Sequence, residues 1–230
     1  MERGIWCFIV KKKLPKIMYF DLDGTLFDNS EIVVDAYYSG MIGLGYITKP
    51  RTFISTLNGK STIETAKALG LKEQDWKNMD EWFWEFFGGY CAEVEDVELI
   101  PYTEEVLNHL KKNKVRMGII TSNSSKNADL LLKKAGFRDY FEIIVGKEDI
   151  TKLKPNPDPI LYALNEMNFK NKSNEVWMVG DTIYDVQAAK NANVTSIGIP
   201  QNHTYDDVKN LKPDLFFESM KGFYEYIKFL

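Results

Sequence analysis

Short apolar runs alternate with stretches of helical periodicity along most of this chain. The first run, Ile17-Met18-Tyr19-Phe20, has buried-strand length and stops at Asp21. From Pro101 onward the alternation is regular. It predicts strands at Val115–Ile120, Phe141–Val145, Val176–Val179, Thr195–Ile199 and Asp214–Phe217. Between them it predicts helices at Thr103–Lys112, Ser125–Ala135, Pro157–Met167 and Tyr184–Ala192, with a closing helix after the last strand. Glu104 and Glu105 fall in the first turn of the 103–112 helix and Lys111 and Lys112 in its last, as the helix dipole favours. Strands alternating with helices imply a mostly parallel sheet covered on both faces.

Between the first strand and Pro101 the pattern is helical throughout. Ser30–Leu44 places Ile32, Val33, Ala36, Tyr37 and Met41 on one side, and Asn29-Ser30 offer it a cap. Ser61–Leu69 is a shorter helix capped by Ser61 and ended by Gly70. Glu73–Val94 carries Trp76, Met79, Phe83, Phe86 and Tyr90 at spacings of three and four. Trp82, Trp84 and Phe87 broaden that face, and Gly88-Gly89 are the expected kink. Aromatics at this spacing read as helical core rather than a ligand box, with a dimer surface left open for the surplus tryptophan. The architecture expected is an α/β core with an all-helical insert after its first strand.

With 230 residues, 44% of them hydrophobic, the chain is long enough for a substantial core. A net charge of −4 excludes a broad phosphate-tracking surface and so argues against nucleic acid as partner. No apolar run approaches a membrane span. Ile5–Val10 precedes Lys11-Lys12-Lys13, the reverse of a signal peptide, so residues 1–15 read as an extra strand or a loose leader. Cys7 and Cys91 form no CxxC, and a reduced, cytoplasmic protein is expected, monomer or homodimer.

The candidate chemistry lies where strands end. Asp21 and Asp23 close the first strand and, two apart on extended chain, point the same way. Thr121-Ser122-Asn123 lead from a strand into a helix, where hydroxyls and free backbone N–H groups make an anion seat. Lys154 is stiffened by Pro155, Pro157 and Pro159. Gly180-Asp181 end a fourth strand, with Asp185 just beyond. Oxygen ligands without a His or Cys cluster point to Mg²⁺ rather than Zn²⁺. His109 and His203 read as surface residues.

Asp21-Leu22-Asp23-Gly24-Thr25, Thr121-Ser122, Lys154-Pro155-Asn156-Pro157-Asp158 and Gly180-Asp181-Thr182-Ile183-Tyr184-Asp185 resemble, in order, the four signature motifs of the haloacid dehalogenase-like superfamily. The helical insert resembles that of its phosphoglycolate-phosphatase and β-phosphoglucomutase branch. The resemblance implies a Rossmann-like parallel-sheet core from residues 1–27 and 101–230 and a helical cap over 28–100. It implies a Mg²⁺-dependent phosphatase on a small phosphorylated substrate, with Asp21 as nucleophile and Asp23 as general acid and base. The metal ligands implied are Asp21, the Asp23 backbone carbonyl and Asp181, with Asp185 supporting the metal's water. Thr121, Ser122, Asn123 and Lys154 would hold the phosphate, and Gly59 and Lys60 resemble the cap's specificity loop. Asp23 sets the chain apart from dehalogenases. Residues 30–40 lack the early cap histidine of the sugar-phosphate mutases, which makes a mutase the alternative, ahead of a non-catalytic phosphate-binding module.

Overall fold

The computed structural model describes residues 13–170, 174–201 and 204–230. The expectations for the leader and for His203 lie largely outside them. Strand β1 (Ile17–Phe20) is followed by helices α1 (Ser30–Gly43), α2 (Arg51–Ser55), α3 (Thr62–Ala68), α4 (Trp76–Glu93) and α5 (Thr103–Lys112). Then come β2 (Arg116–Ile120), α6 (Ser125–Lys134), β3 (Phe141–Val145), α7 (Asp158–Glu166), β4 (Val176–Gly180) and α8 (Ile183–Asn191). The chain closes with β5 (Thr195–Gly198), α9 (Tyr205–Asn210), β6 (Leu215–Phe216) and α10 (Met220–Ile227).

The six strands form one parallel sheet in the order β3-β2-β1-β4-β5-β6. β1 is central, and all four of its residues are fully buried. The pleat sends Met18 and Phe20 to one face and Ile17 and Tyr19 to the other. The first face packs under α5, α6 and α10 through residues such as Leu107, Leu131 and Phe223. The second packs under α7 and α8 through Ile160, Leu164 and Ala189. Each such leucine, isoleucine or phenylalanine side chain taken out of water stabilises the fold by about 1.5–3 kcal/mol. Chain direction across the sheet reverses around β1, with β2 on one side and β4 on the other. That makes the carboxyl end of β1 the crevice where α/β sheets bind ligands.

The insert holds α1 to α4. Met79, Phe83, Phe87 and Cys91 recur on one side of α4 and are buried. Of the expected stripe, Met79 and Phe83 are core, Trp76 and Tyr90 are half-buried and Phe86 faces outward, because the buried side of the helix runs through Phe87 and Cys91 instead. Trp82 and Phe86 stay over a third exposed, and Trp82 covers Gly43 of α1. Three details differ from the sequence pattern. Residues 73–75 form a separate 3₁₀ turn before α4, and α4 runs on through Gly88 and Gly89. The short helices α2 and α9 carry too few residues for a periodic signal. Ser61 caps α3 in a reciprocal box with Glu64. Among the described residues, no helix is long and apolar enough to cross a membrane.

Candidate active site

Asp21 leaves β1 with its N–H still donating to the Val179 carbonyl at 2.9 Å, so its position is set by the sheet. The chain then turns tightly, with the amides of Thr25, Leu26 and Phe27 converging on the Leu22 carbonyl. Gly24 sits at φ +83°, and a Cβ there would lie 2.5 Å from an Asp181 carboxylate oxygen. Only glycine permits both the backbone and the approach. The turn thereby holds Asp21 and Asp23 against the end of β4.

Lys154 Nζ donates to Asp21 Oδ1 at 2.7 Å, Asp185 Oδ1 at 2.6 Å and the Ile120 carbonyl at 3.1 Å. Its side chain is 4% exposed. Asp181 Oδ1 accepts from the Thr25 hydroxyl at 2.9 Å. Asp185 Oδ2 accepts from the Thr182 hydroxyl and amide, so this aspartate is both the capping partner of α8 and an anchor for Lys154. Asp23 is gripped by two amides. Asn29 Nδ2 donates to Oδ1 at 2.6 Å and Asn123 Nδ2 to Oδ2 at 3.1 Å.

Two of these contacts change the roles read from sequence. Asn29 makes no side-chain cap for α1; its amide goes to Asp23, while Asp28 accepts from the Ser30 amide and hydroxyl. Asn123, expected at the phosphate, gives its amide to Asp23 and its carbonyl oxygen to Ser124 and Asn127. The amides at the start of α6 are also spoken for. Asn123 N–H donates to Thr121 Oγ1, Ser124 N–H to Asn123 Oδ1, Ser125 N–H to Glu148 and Asn127 N–H to Ser124 Oγ. These amides are therefore already paired within the protein. Among the described residues, the N–H groups of Leu22 and Asp23 donate to no protein acceptor, beside Thr121 and the exposed Ser122. An unpaired N–H on a wholly buried residue such as Leu22 is what a ligand oxygen satisfies.

Asp21, Asp23, Thr121, Ser122, Asn123, Lys154 and Asp181 line one cavity, and Gly59 and Lys60 of the insert line it with them. Asp185 lies behind them. Gly59, at φ +83°, rests against Thr182 and Thr204 of the core. Lys60 is exposed at the rim. Tyr184 of α8 donates to Glu64 of α3 at 2.7 Å, a further bond between core and insert.

One buried ammonium faces three buried carboxylates here, with the half-buried Asp23 adjacent. Burial pushes Asp21 up to about 7, against the pull of Lys154. Burial and the neighbouring Asp21 and Asp185 hold Asp181 well above the usual carboxylate range. Burial also raises Asp23, with its two amide donors opposing. Lys154 stays charged because Asp185 and Asp21 outweigh its desolvation. Oxygens of Asp21, Asp181 and Asp185 lie within 4.8 Å of one another. Excess negative charge on hard oxygen donors fits a divalent cation.

The same imbalance has a measurable sign. Because the folded Asp21 titrates near 7 and an unfolded aspartate near 3.8, the folded chain binds the extra proton between those values. Stability of the protein in chelator is therefore expected to fall as pH rises from about 4 to about 7. Thermal midpoints in EDTA across that window check it; midpoints that rise would contradict the charge count.

Residues 18–199 match the family described as haloacid dehalogenase-like hydrolase. A candidate pyrophosphatase, PpaX, of Caldanaerobacter subterraneus is 30% identical over 91% of this chain and 93% of its own. A phosphoglycolate phosphatase of Yersinia pseudotuberculosis is 28% identical over 86% of this chain and 87% of its own. A candidate phosphatase of Clostridium difficile has a crystal structure that superposes with a TM-score of 0.78 at 26% identity, covering 94% of this chain and all of that one.

Proposed function

The chain belongs to the haloacid dehalogenase-like hydrolase family, and from that premise we propose that it is a Mg²⁺-dependent phosphatase of a small phosphorylated metabolite, working through an aspartyl-phosphate on Asp21. The hydrolysis of phosphoric monoesters is the activity of this enzyme. The observation that carries the mechanism is the pairing of two differently held carboxylates in one cavity. Asp21 is fixed by Lys154 with Oδ2 left unbonded among the described residues, and Asp23 is fixed by two amides.

Asp21 Oδ2 attacks phosphorus as the bond from phosphorus to the ester oxygen breaks, and Asp23 delivers a proton to the leaving oxygen. Asp23, now a carboxylate, takes a proton from water, whose oxygen attacks phosphorus and releases Asp21 and orthophosphate. The amides of Leu22 and Asp23 and the Thr121 hydroxyl meet the phosphoryl oxygens, and the charge of the Lys154 ammonium, held on Asp21 and Asp185, stabilises them from beside. Asp21, the Asp23 carbonyl and Asp181 would hold the metal. When bound, Mg²⁺ supplies charge that lets a dianionic phosphate enter an acidic pocket. Asp185 orients Lys154. The insert over 28–100 acts as the cap that excludes water, with Gly59 and Lys60 at its specificity loop. The free thiol of Cys91 suits the cytoplasm.

A panel of phosphate esters and pyrophosphate, assayed with purified protein, tests this reading. Orthophosphate release is expected with Mg²⁺, lost in EDTA and restored by excess Mg²⁺. Asp23→Asn is expected to lower kcat about 10²–10⁴-fold. Release across no member of the panel would sink the proposal. Asn29→Ala removes one charge-assisted hydrogen bond from Asp23, a contact worth roughly 1.5–3 kcal/mol. It is expected to lower kcat about 10–100-fold with KM little changed; a pure KM effect would show that Asn29 reads substrate instead.

A further inference from the structure

The cavity over Asp21 and Asp23 measures about 500 Å³. Pockets that enclose drug-sized ligands span roughly 300–1,000 Å³, so a phosphoryl group with a two-carbon tail leaves most of this one unfilled. Part of its lining, contributed by the insert, is aromatic. Tyr37 of α1 and Phe83, Trp84 and Phe87 of α4 all line it. The rings touch in series, with centroids 4.7 Å apart for Tyr37 and Phe83, 5.0 Å for Phe83 and Trp84, and 5.9 Å for Phe83 and Phe87. They form one cluster centred on Phe83 in the lining of the cavity that holds the aspartates.

The polar groups on that wall sit around Trp84. Lys147, in the loop after β3, holds Nζ 3.6 Å from a Trp84 ring centroid and ion-pairs with no carboxylate among the described residues. Its backbone amide is tied to the Asn123 carbonyl at 2.9 Å, which fixes it to the loop that also holds Asp23. Asp80 accepts from Trp84 Nε1 at 3.2 Å and from the Thr62 hydroxyl. The wall thus offers apolar ring surface, with an ammonium over the Trp84 ring and a carboxylate at its Nε1. That is the complement of a planar ring with polar edge groups.

We propose that the leaving group carries a planar aromatic or heteroaromatic ring, seated on Tyr37, Phe83, Trp84 and Phe87. The inference rests on the phosphatase reading and names its substrate class. Ring burial displaces water from the apolar wall, which neither glycolate nor a second phosphate can do. The ring adds binding energy away from phosphorus, so its signature is preference among esters of equal intrinsic reactivity.

The test compares 2-phenylethyl phosphate with ethyl phosphate, whose leaving alkoxides are of similar basicity. Wild-type kcat/KM is expected to favour the phenyl ester by about tenfold or more, in the range that hydrophobic pockets deliver for added apolar groups. Trp84→Ala is expected to cut that ratio at least about fivefold, while Trp84→Phe keeps most of it. A wild-type ratio below about ten, or phosphoglycolate or pyrophosphate turned over better than the phenyl ester, overturns the ring assignment and leaves the hydrolase standing. The wild-type ratio needs no variant, so a misfolded Trp84→Ala does not blunt the test. Turnover of neither ester, nor of any other panel member, is the separate result that removes the phosphatase reading itself.

Discussion

Asp21→Asn is expected to keep its fold and lose turnover by on the order of 10⁴-fold or more, as enzymes do when a nucleophile acting within a unit is removed. The amide has the same shape and still offers an oxygen to Lys154, so packing around it survives. What disappears is the anionic oxygen that would bond to phosphorus. The loss belongs to kcat; ester binding persists, because the amides, Thr121 and Lys154 are untouched. Stability should move the other way. Asp21 is a buried carboxylate raised to about 7 among Asp181 and Asp185, so deleting its charge relieves repulsion. In EDTA at pH 8 the variant is expected to melt above wild type, and the difference should shrink below pH 5. Activity surviving intact in Asp21→Asn would overturn the aspartyl-phosphate route.

Lys154→Met is expected to destabilise the protein by about 3–5 kcal/mol, the cost of leaving buried charges without their partner. Methionine fills the space of the stem, so the effect is electrostatic rather than a cavity. The ammonium bonds two carboxylates and a carbonyl, and its side chain is almost wholly buried, so water cannot replace it. Because Asp21 and Asp181 take up protons more readily than free aspartates, the deficit should be largest above pH 7 and shrink on acidification. Urea midpoints at pH 5 and pH 8 check this. The double variant with Asp21→Asn should recover part of the loss, since the two residues are coupled. A deficit that is the same at both pH values would mean that packing, and not charge, is what Lys154 supplies.

The pattern along the chain was legible because its elements obey local rules. β1, β3 and α5 fall where apolar runs and dipole-matched ends place them. The order Asp21, Thr121, Lys154, Asp181 was legible too, since each residue follows a recognisable strand. Less legible were the residues whose sequence signal served a second purpose. Asn29 looks like a helix cap because Asn before Ser-Glu is a capping pattern, yet its amide serves Asp23. Asn123 looks like part of an anion seat, yet its donors and acceptor are used inside the protein. A capping residue and a carboxylate holder present the same amide, and only the neighbour's position distinguishes them.

The aromatic helix shows the same division. Spacing identified Phe83 as core, and it is buried, but it placed Phe86 there as well, which is exposed, while Phe87 is the buried neighbour. That Phe83 and Phe87 also wall a cavity over Asp21 depends on how the insert lies across the sheet, which no local periodicity encodes. The sequence by itself determined the parallel sheet, the helical insert and the carboxylates at the strand ends, because hydrophobic period and strand-end chemistry are properties of neighbouring residues. Tertiary structure alone decided that Asp185 anchors Lys154, that two asparagines grip Asp23, and that aromatic side chains line the same cavity. Those contacts join residues 6 to 100 positions apart in the case of Asp23, and 31 apart for Lys154 and Asp185. Burial then strengthens each of these electrostatic contacts and shifts the carboxylates' protonation, an effect that exists only once the chain has closed around them.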